Sequence, residues 1–189
     1  MRQTGLKIFP QDRCKDLWIP GPRTGNGLLL NPQDEAESQK TLRLIESMIF
    51  DGLLKYDGEN QKSMGLSRYW HPDMIWYGPA GIGTAYGIEN FKECAQKPIL
   101  TAFPDRTGAN HQARFAEGVF AISTGWPSLE GTHLSEYLGV AATNKEIGMR
   151  IIDVWRRQDD LLAENWVLID FLDLFRQFGV DLLGQIQTQ

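Results

Sequence analysis

The chain holds 189 residues, 42% of them apolar and 23% charged, with 19 Lys plus Arg against 24 Asp plus Glu for a formal net charge of −5. That length suits one domain with a decorated terminus, and an acidic balance with no basic block argues against a nucleic-acid partner. No run approaches the ~20 apolar residues of a membrane helix, the N-terminus lacks the apolar segment of an export signal, and Cys14 and Cys94 stand far apart in no metal or redox spacing. The reading is a cytoplasmic protein with two free thiols and no membrane partner.

Residues 1–31 crowd Pro10, Pro20, Gly21, Pro22, Gly25 and Gly27 together and read as an extended arm, with the folded domain spanning 32–189. Asn31-Pro32 offers a helix start, with acidic residues at 34, 35 and 37 where the helix dipole favours them. Leu42, Ile45, Ile49, Leu53 and Tyr56 follow helical spacing, so a long amphipathic helix is predicted to about Tyr56, ended by Asp57-Gly58. Met74 to Tyr77 reads as a strand and 78–83 as a Gly/Pro loop; that loop fits no phosphate-binding fingerprint. Gly87 to Leu100 reads as the next helix, with Ile88, Phe91, Ala95 and Ile99 on one face.

Strands are expected over 107–117 and 119–126, followed by a long hairpin of 145–158 and 161–170 turned by Asp159-Asp160. A short helix over 172–178 stops at Gly179. Helices first and a curved run of antiparallel strands afterwards make an α+β fold.

The hairpin carries the chemistry. A period of two puts Met149, Ile151, Asp153 and Trp155 on one side of the first strand, away from Arg150, Ile152, Val154 and Arg156. On the second strand the same rule groups Glu164, Trp166, Leu168 and Asp170. A short turn would set Trp155 beside Glu164 and Asp153 beside Trp166, leaving acids between indoles. An acid so placed loses hydration of its charged form, its pKa rises, and it becomes able to exchange protons near neutral pH; ion pairing at a strand edge is the alternative. His111 alternates with Ala113, Phe115 and Glu117 and could face the same interior, or hydrogen-bond at the sheet rim. His71 and His133 read as loop contacts. The three histidines stand 40 and 22 residues apart, so no metal site is expected. Trp70, Trp76, Trp126, Trp155 and Trp166 fit core packing, and also the walls of a cavity for a flat aromatic ligand.

The run 69–79 (YWHPDMIWYGP), the Ala-Phe-Pro-Asp-Arg of 102–106, Arg-Ile-Ile-Asp-Val-Trp-Arg at 150–156 and Glu-Asn-Trp-Val-Leu-Ile-Asp at 164–170 resemble the SnoaL-like polyketide cyclases, or ester cyclases, of the nuclear-transport-factor-like superfamily. The resemblance covers about residues 35 to 183. It implies a cone-shaped α+β domain, a curved antiparallel sheet wrapped around N-terminal helices, with an internal pocket and a homodimer formed on the broad sheet face. It also implies cofactor-free acid/base chemistry, an intramolecular aldol cyclisation, isomerisation or dehydration, on a small aromatic or polyketide-like molecule. In that pattern the acid/base aspartate follows the tryptophan of the last strand; here Val167 follows Trp166, so the proton falls to Asp153, Asp170, Glu164 or His111. Asp153, Asp170 and His111 are the candidate catalytic residues, with Trp76, Tyr77, Trp126, Trp155, Glu164 and Trp166 lining the substrate site. A ligand-binding or dimerisation module without chemistry is the rival reading.

Overall fold

The structure, a computed structural model, describes residues 31–108 and 113–184. Nearly all of the N-terminal arm and His111 lie outside the described residues.

Helix α1 spans Glu35–Phe50 and is capped by Asp34, whose carboxylate accepts from Ala36 N at 2.6 Å and Glu37 N at 3.4 Å. The start is therefore three residues later than Asn31, because an acidic side chain that reaches two free N–H groups caps better than an upstream Asn-Pro. The helix also stops before Tyr56. At Gly52 a Cβ would meet Met48 O at 2.4 Å, so the chain leaves the helix where only glycine fits, and a tight turn over Leu53–Lys55 follows.

The next helical stretch joins α2 (Gly87–Phe91), a π-helical turn (Lys92–Gln96) and α3 (Lys97–Ala102). Pro98 lacks the N–H that an α-helix would use there, and widening the preceding turn accommodates its ring. The closing helix α4 spans Phe171–Phe178 and ends on Gly179 in the left-handed region, φ 92°.

The strands are β1 (Trp70–Tyr77), β2 (Thr84–Tyr86), β3 (Thr107–Gly108), β4 (Ala113–Glu117), β5 (Phe120–Thr132), β6 (Glu146–Gln158) and β7 (Leu161–Ile169). They form one seven-stranded sheet in the order β2-β1-β7-β6-β5-β3, with β4 also on β5. The fold is α+β with a curved, open sheet, as expected; β1 runs parallel to β7 and the remaining pairs are antiparallel. β5 runs through Trp126-Pro127 rather than ending there. Its register shifts between Gly125 and Leu129, and the Ser128 hydroxyl fills the gap by donating to Ile151 O at 3.0 Å.

The apolar stripe of α1 (Ile45, Met48, Ile49) packs with Phe91, Leu100, Phe103 and the inner sheet residues Ile147, Met149 and Trp155 to form the core. His133 belongs to this core as well, wholly buried and stacked between Phe103 at 5.4 Å and Phe178 at 4.2 Å. Burial holds its imidazole pKa below the ordinary value. Among the described residues no helix is long and apolar enough to cross a membrane.

Candidate functional site

Between α1, the α2–α3 stretch and the concave side of the sheet lies a cavity of about 150 Å³. Its walls are apolar: Met48 and Ile49 from α1, Trp70 and Trp76 from β1, Phe91 and Ile99 from the second helical stretch, Leu129 from β5. Along β6 the predicted alternation holds, since Met149 and Trp155 are buried on the inner side while Ile151, Asp153 and Trp155 all line the cavity.

The other half of the predicted cluster is on the wrong side, and the cause is one residue. At the turn, Gln158 pairs with Leu161 and Arg157 with Leu162, the register of a tight two-residue loop. Continued without interruption it would set Trp155 against Glu164 and Asp153 against Trp166. Instead Ala163 is inserted as a bulge, Arg156 pairs with Glu164, and from there Trp155 faces Asn165 and Asp153 faces Val167. A one-residue slip exchanges the faces of everything downstream. Asn165, Val167 and Ile169 line the cavity, while Glu164, Trp166 and Leu168 turn to the convex side.

Each displaced residue has other partners. Glu164 is fully buried and takes a hydrogen-bonded ion pair from Arg156 Nε, with the Tyr77 hydroxyl 3.4 Å from its other oxygen. Tyr77 and Trp166 stack on one another, centroids 5.4 Å apart, outside the cavity. Trp126 is 66% exposed, with the Arg150 guanidinium 3.4 Å above its ring. Asp170 caps α4 by accepting from Asp173 N at 3.0 Å and pairs with Arg150 at 3.3 Å. Of the sequence candidates, the structure brings together Asp153, Trp76 and Trp155; Asp170, Glu164, Tyr77, Trp126 and Trp166 lie elsewhere, because helix capping, the bulge and the exposed turn of β5 claim them.

Asp153 is the carboxylate of the cavity. Burial raises its pKa from 3.8 to about 7, against the lowering effect of the Asn165 amide, which donates to Oδ1 at 3.2 Å. The indole N–H groups of Trp70 and Trp155, both lining the cavity, have no hydrogen-bond partner among the described residues. The site thus pairs a proton acceptor poised near neutrality with unpartnered donors in a largely apolar wall. Trp70 joins the wall as one of the tryptophans that suited a flat ligand, whereas Asn165 and Arg106, another lining residue, went unread as site residues in the sequence; the alternation on β7 would have yielded Asn165 had the bulge been visible. Among the described residues no group of three His, Cys, Asp or Glu converges as metal ligands would.

Val167 lies directly across from Asp153, so a second acid at that position would share its hollow. We expect Val167→Asp to push the Asp153 titration above 7 and to lower the melting temperature progressively as pH rises, checked by NMR titration and thermal scans; an unshifted titration would show that the two positions do not face each other.

The family model of the SnoaL-like polyketide cyclases matches residues 55–178. Among solved structures, a protein from Jannaschia sp. CCS1 described as a SnoaL-like polyketide cyclase superposes with a TM-score of 0.67 at 13% identity, over 79% of this chain and 99% of its own. AclR from Streptomyces galilaeus, described as a hydroxylase, gives 0.60 at 19% identity, over 75% and 97%. IdmH from Streptomyces antibioticus, described as a polyketide cyclase, gives 0.54 at 23% identity, over 75% and 98%. No curated protein matches the sequence. These structural likenesses establish the fold, and the family model covers well over half of the chain: the chain belongs to the SnoaL-like polyketide cyclase family.

Proposed function

We propose that the cavity binds a small aromatic or polyketide-like molecule and that Asp153 performs cofactor-free acid/base chemistry on it. The observation that carries this reading is a carboxyl group whose pKa stands at about 7 inside an indole-walled hollow. In the family pattern the acid stands where Val167 is; Asp153, its cross-strand partner, offers a carboxylate to the same hollow from the neighbouring strand. In the proposed step the Asp153 carboxylate takes the proton from a carbon beside a carbonyl. The enolate carbon then forms a C–C bond to a second carbonyl carbon of the same molecule, and the resulting alkoxide recovers the proton from Asp153, leaving the enzyme unchanged. The unpartnered indole N–H groups of Trp70 and Trp155 are suited to hold the enolate oxygen. A related fold, TerC, was co-crystallised with polyporic acid, which supports a small organic ligand. The test is a panel of 1,3-dicarbonyl compounds in D₂O, followed by NMR. Exchange of the acidic C–H by the wild type and its loss in Asp153→Asn are expected; equal exchange by both would leave a binding module without chemistry.

We also propose a homodimer through the convex sheet face. Phe115 and Leu168, each 57% exposed, and Ile152, 44% exposed, stand there with Val154 and Trp166 as an exposed apolar cluster of the kind that partners cover. Leu168→Lys is expected to halve the mass seen by light scattering; a monomeric wild type would end this reading.

A further inference from the structure

The fold gives its two buried arginines a partner: Arg156 has Glu164, and Arg157 has Glu37, Thr41 Oγ1 and Asp159 O, whereas Arg106 is half-buried and differs from both. It leaves α3 through a turn in which its N–H donates to Phe103 O at 3.2 Å, and enters β3 with its side chain in the cavity wall. Its Nε and Nη2 are shut off from solvent with no hydrogen-bond partner, and no carboxylate pairs with it among the described residues. The nearest compensation is the Tyr56 ring, 5.8 Å from Cζ. Burial pulls its pKa below the ordinary value. A desolvated cation with no counter-ion is costly, and an arrangement of that kind is relieved by an anion arriving from outside.

The two orphan nitrogens are informative as a pair. Nε and Nη2 form one edge of the guanidinium, the edge whose two parallel N–H groups match the two oxygens of a carboxylate. The position of that edge is informative too. Thr107 pairs with Glu130 and Glu130 with Gly148, which sets Arg106, one residue further out, level with Ile147, six residues from Asp153 along β6. At ~3.3 Å per residue that separates the two backbone positions by roughly 20 Å along the sheet, and the long arginine side chain covers part of that distance to reach the cavity wall. Asp153 answers to burial and Asn165 alone, which fits a cation held at the other end of the hollow.

Resting on the reading that this cavity is the substrate site, we propose that Arg106 binds a carboxylate on the substrate, so that the cavity selects an organic acid over its ester or amide. Binding of benzoate and benzamide tests this, since a cavity of about 150 Å³ admits a single ring; Trp70, Trp76 and Trp155 in the wall supply the fluorescence signal. The wild type is expected to bind benzoate about tenfold more tightly than benzamide. Arg106→Met removes that preference without weakening benzamide, Arg106→Lys keeps part of it, and the ligand-free Arg106→Met protein melts no lower than the wild type, because an unpaired buried charge has been removed. A preference that survives Arg106→Met, a wild type that fails to saturate with benzoate or fails to discriminate, or a lower melting temperature for Arg106→Met would each overturn the assignment. Asp153→Asn keeps the acid preference in either case. Lost selectivity with intact exchange chemistry, and the reverse, therefore separate failure of this assignment from failure of the acid/base reading.

Discussion

Asp153→Asn is expected to abolish turnover and, in the same protein, to raise the melting temperature above pH 7. The two effects share one cause. The hollow holds the carboxyl at about pKa 7 against 3.8 for an unhindered aspartate, almost wholly through burial. The folded protein therefore keeps the proton that the unfolded chain has already released. Below about pH 4 both states hold it and the residue costs nothing. As pH rises from there to about 7 the penalty for an ionised group in a poorly hydrated, largely apolar hollow grows, and above 7 it is complete, at most about 4 kcal/mol. Asparagine carries no charge and its carbonyl still accepts from Asn165, so the variant gains stability only in that upper range. His133, whose depressed pKa acts in the opposite sense as pH falls, is present in both proteins and cancels from the difference. The same ionisation sets the activity: the rate of the wild type is expected to climb through about pH 7 as the carboxylate forms, and the variant to lose about 100-fold or more. A variant that turns over normally, or one that melts lower than the wild type at pH 8, would show that Asp153 is neither buried as described nor engaged in the chemistry.

Arg156→Met should be among the most damaging single substitutions in the sheet. Arg156 is 4% exposed and Glu164 wholly buried, and their ion pair lies at the Ala163 bulge. Methionine matches the length of the arginine stem but leaves a carboxylate in the interior without its cation, a loss of about 3–5 kcal/mol. For a domain of this size that lowers the melting temperature by roughly 10 °C. The double variant Arg156→Met/Glu164→Met removes both charges and is expected to recover most of the loss, to within about 1 kcal/mol of the wild type. Thermal and urea unfolding of the three variants close the cycle. A single variant as stable as the wild type would mean that water already reaches Glu164.

This pair also explains how far the site could be read from the chain. Alternation along β6 is a local property, carried by the pleat itself, so Met149, Ile151, Asp153 and Trp155 share a face whatever the strand pairs with. The stop of α4 at Gly179 is local in the same way, a left-handed residue where glycine meets no steric penalty. The neighbours of Asp153 are not local. Whether Glu164 or Asn165 faces the hollow depends on where the extra residue of the hairpin is placed, and Ala163 carries no marker of a bulge: it is neither glycine nor proline. Tertiary energy decides it, because the slipped register buries Glu164 against Arg156 and stacks Trp166 on Tyr77, whereas the regular one would drive Glu164 and Trp166 into an apolar hollow. Asp170 likewise satisfies both a strand pattern and a helix cap, and only the folded chain, with free N–H groups of α4 beside it, settles the choice.

By itself the sequence determined the α+β order of elements, the inward face of β6 and the acid it carries, since each follows from periodicity within a few adjacent residues. Only the tertiary structure decided that Val167 and Asn165 stand across from that acid, that Tyr77, Trp126, Glu164, Trp166 and Asp170 serve elsewhere, and that Arg106 reaches the same cavity. Those outcomes depend on register and on the company of buried charges, energies that arise between segments distant in the chain.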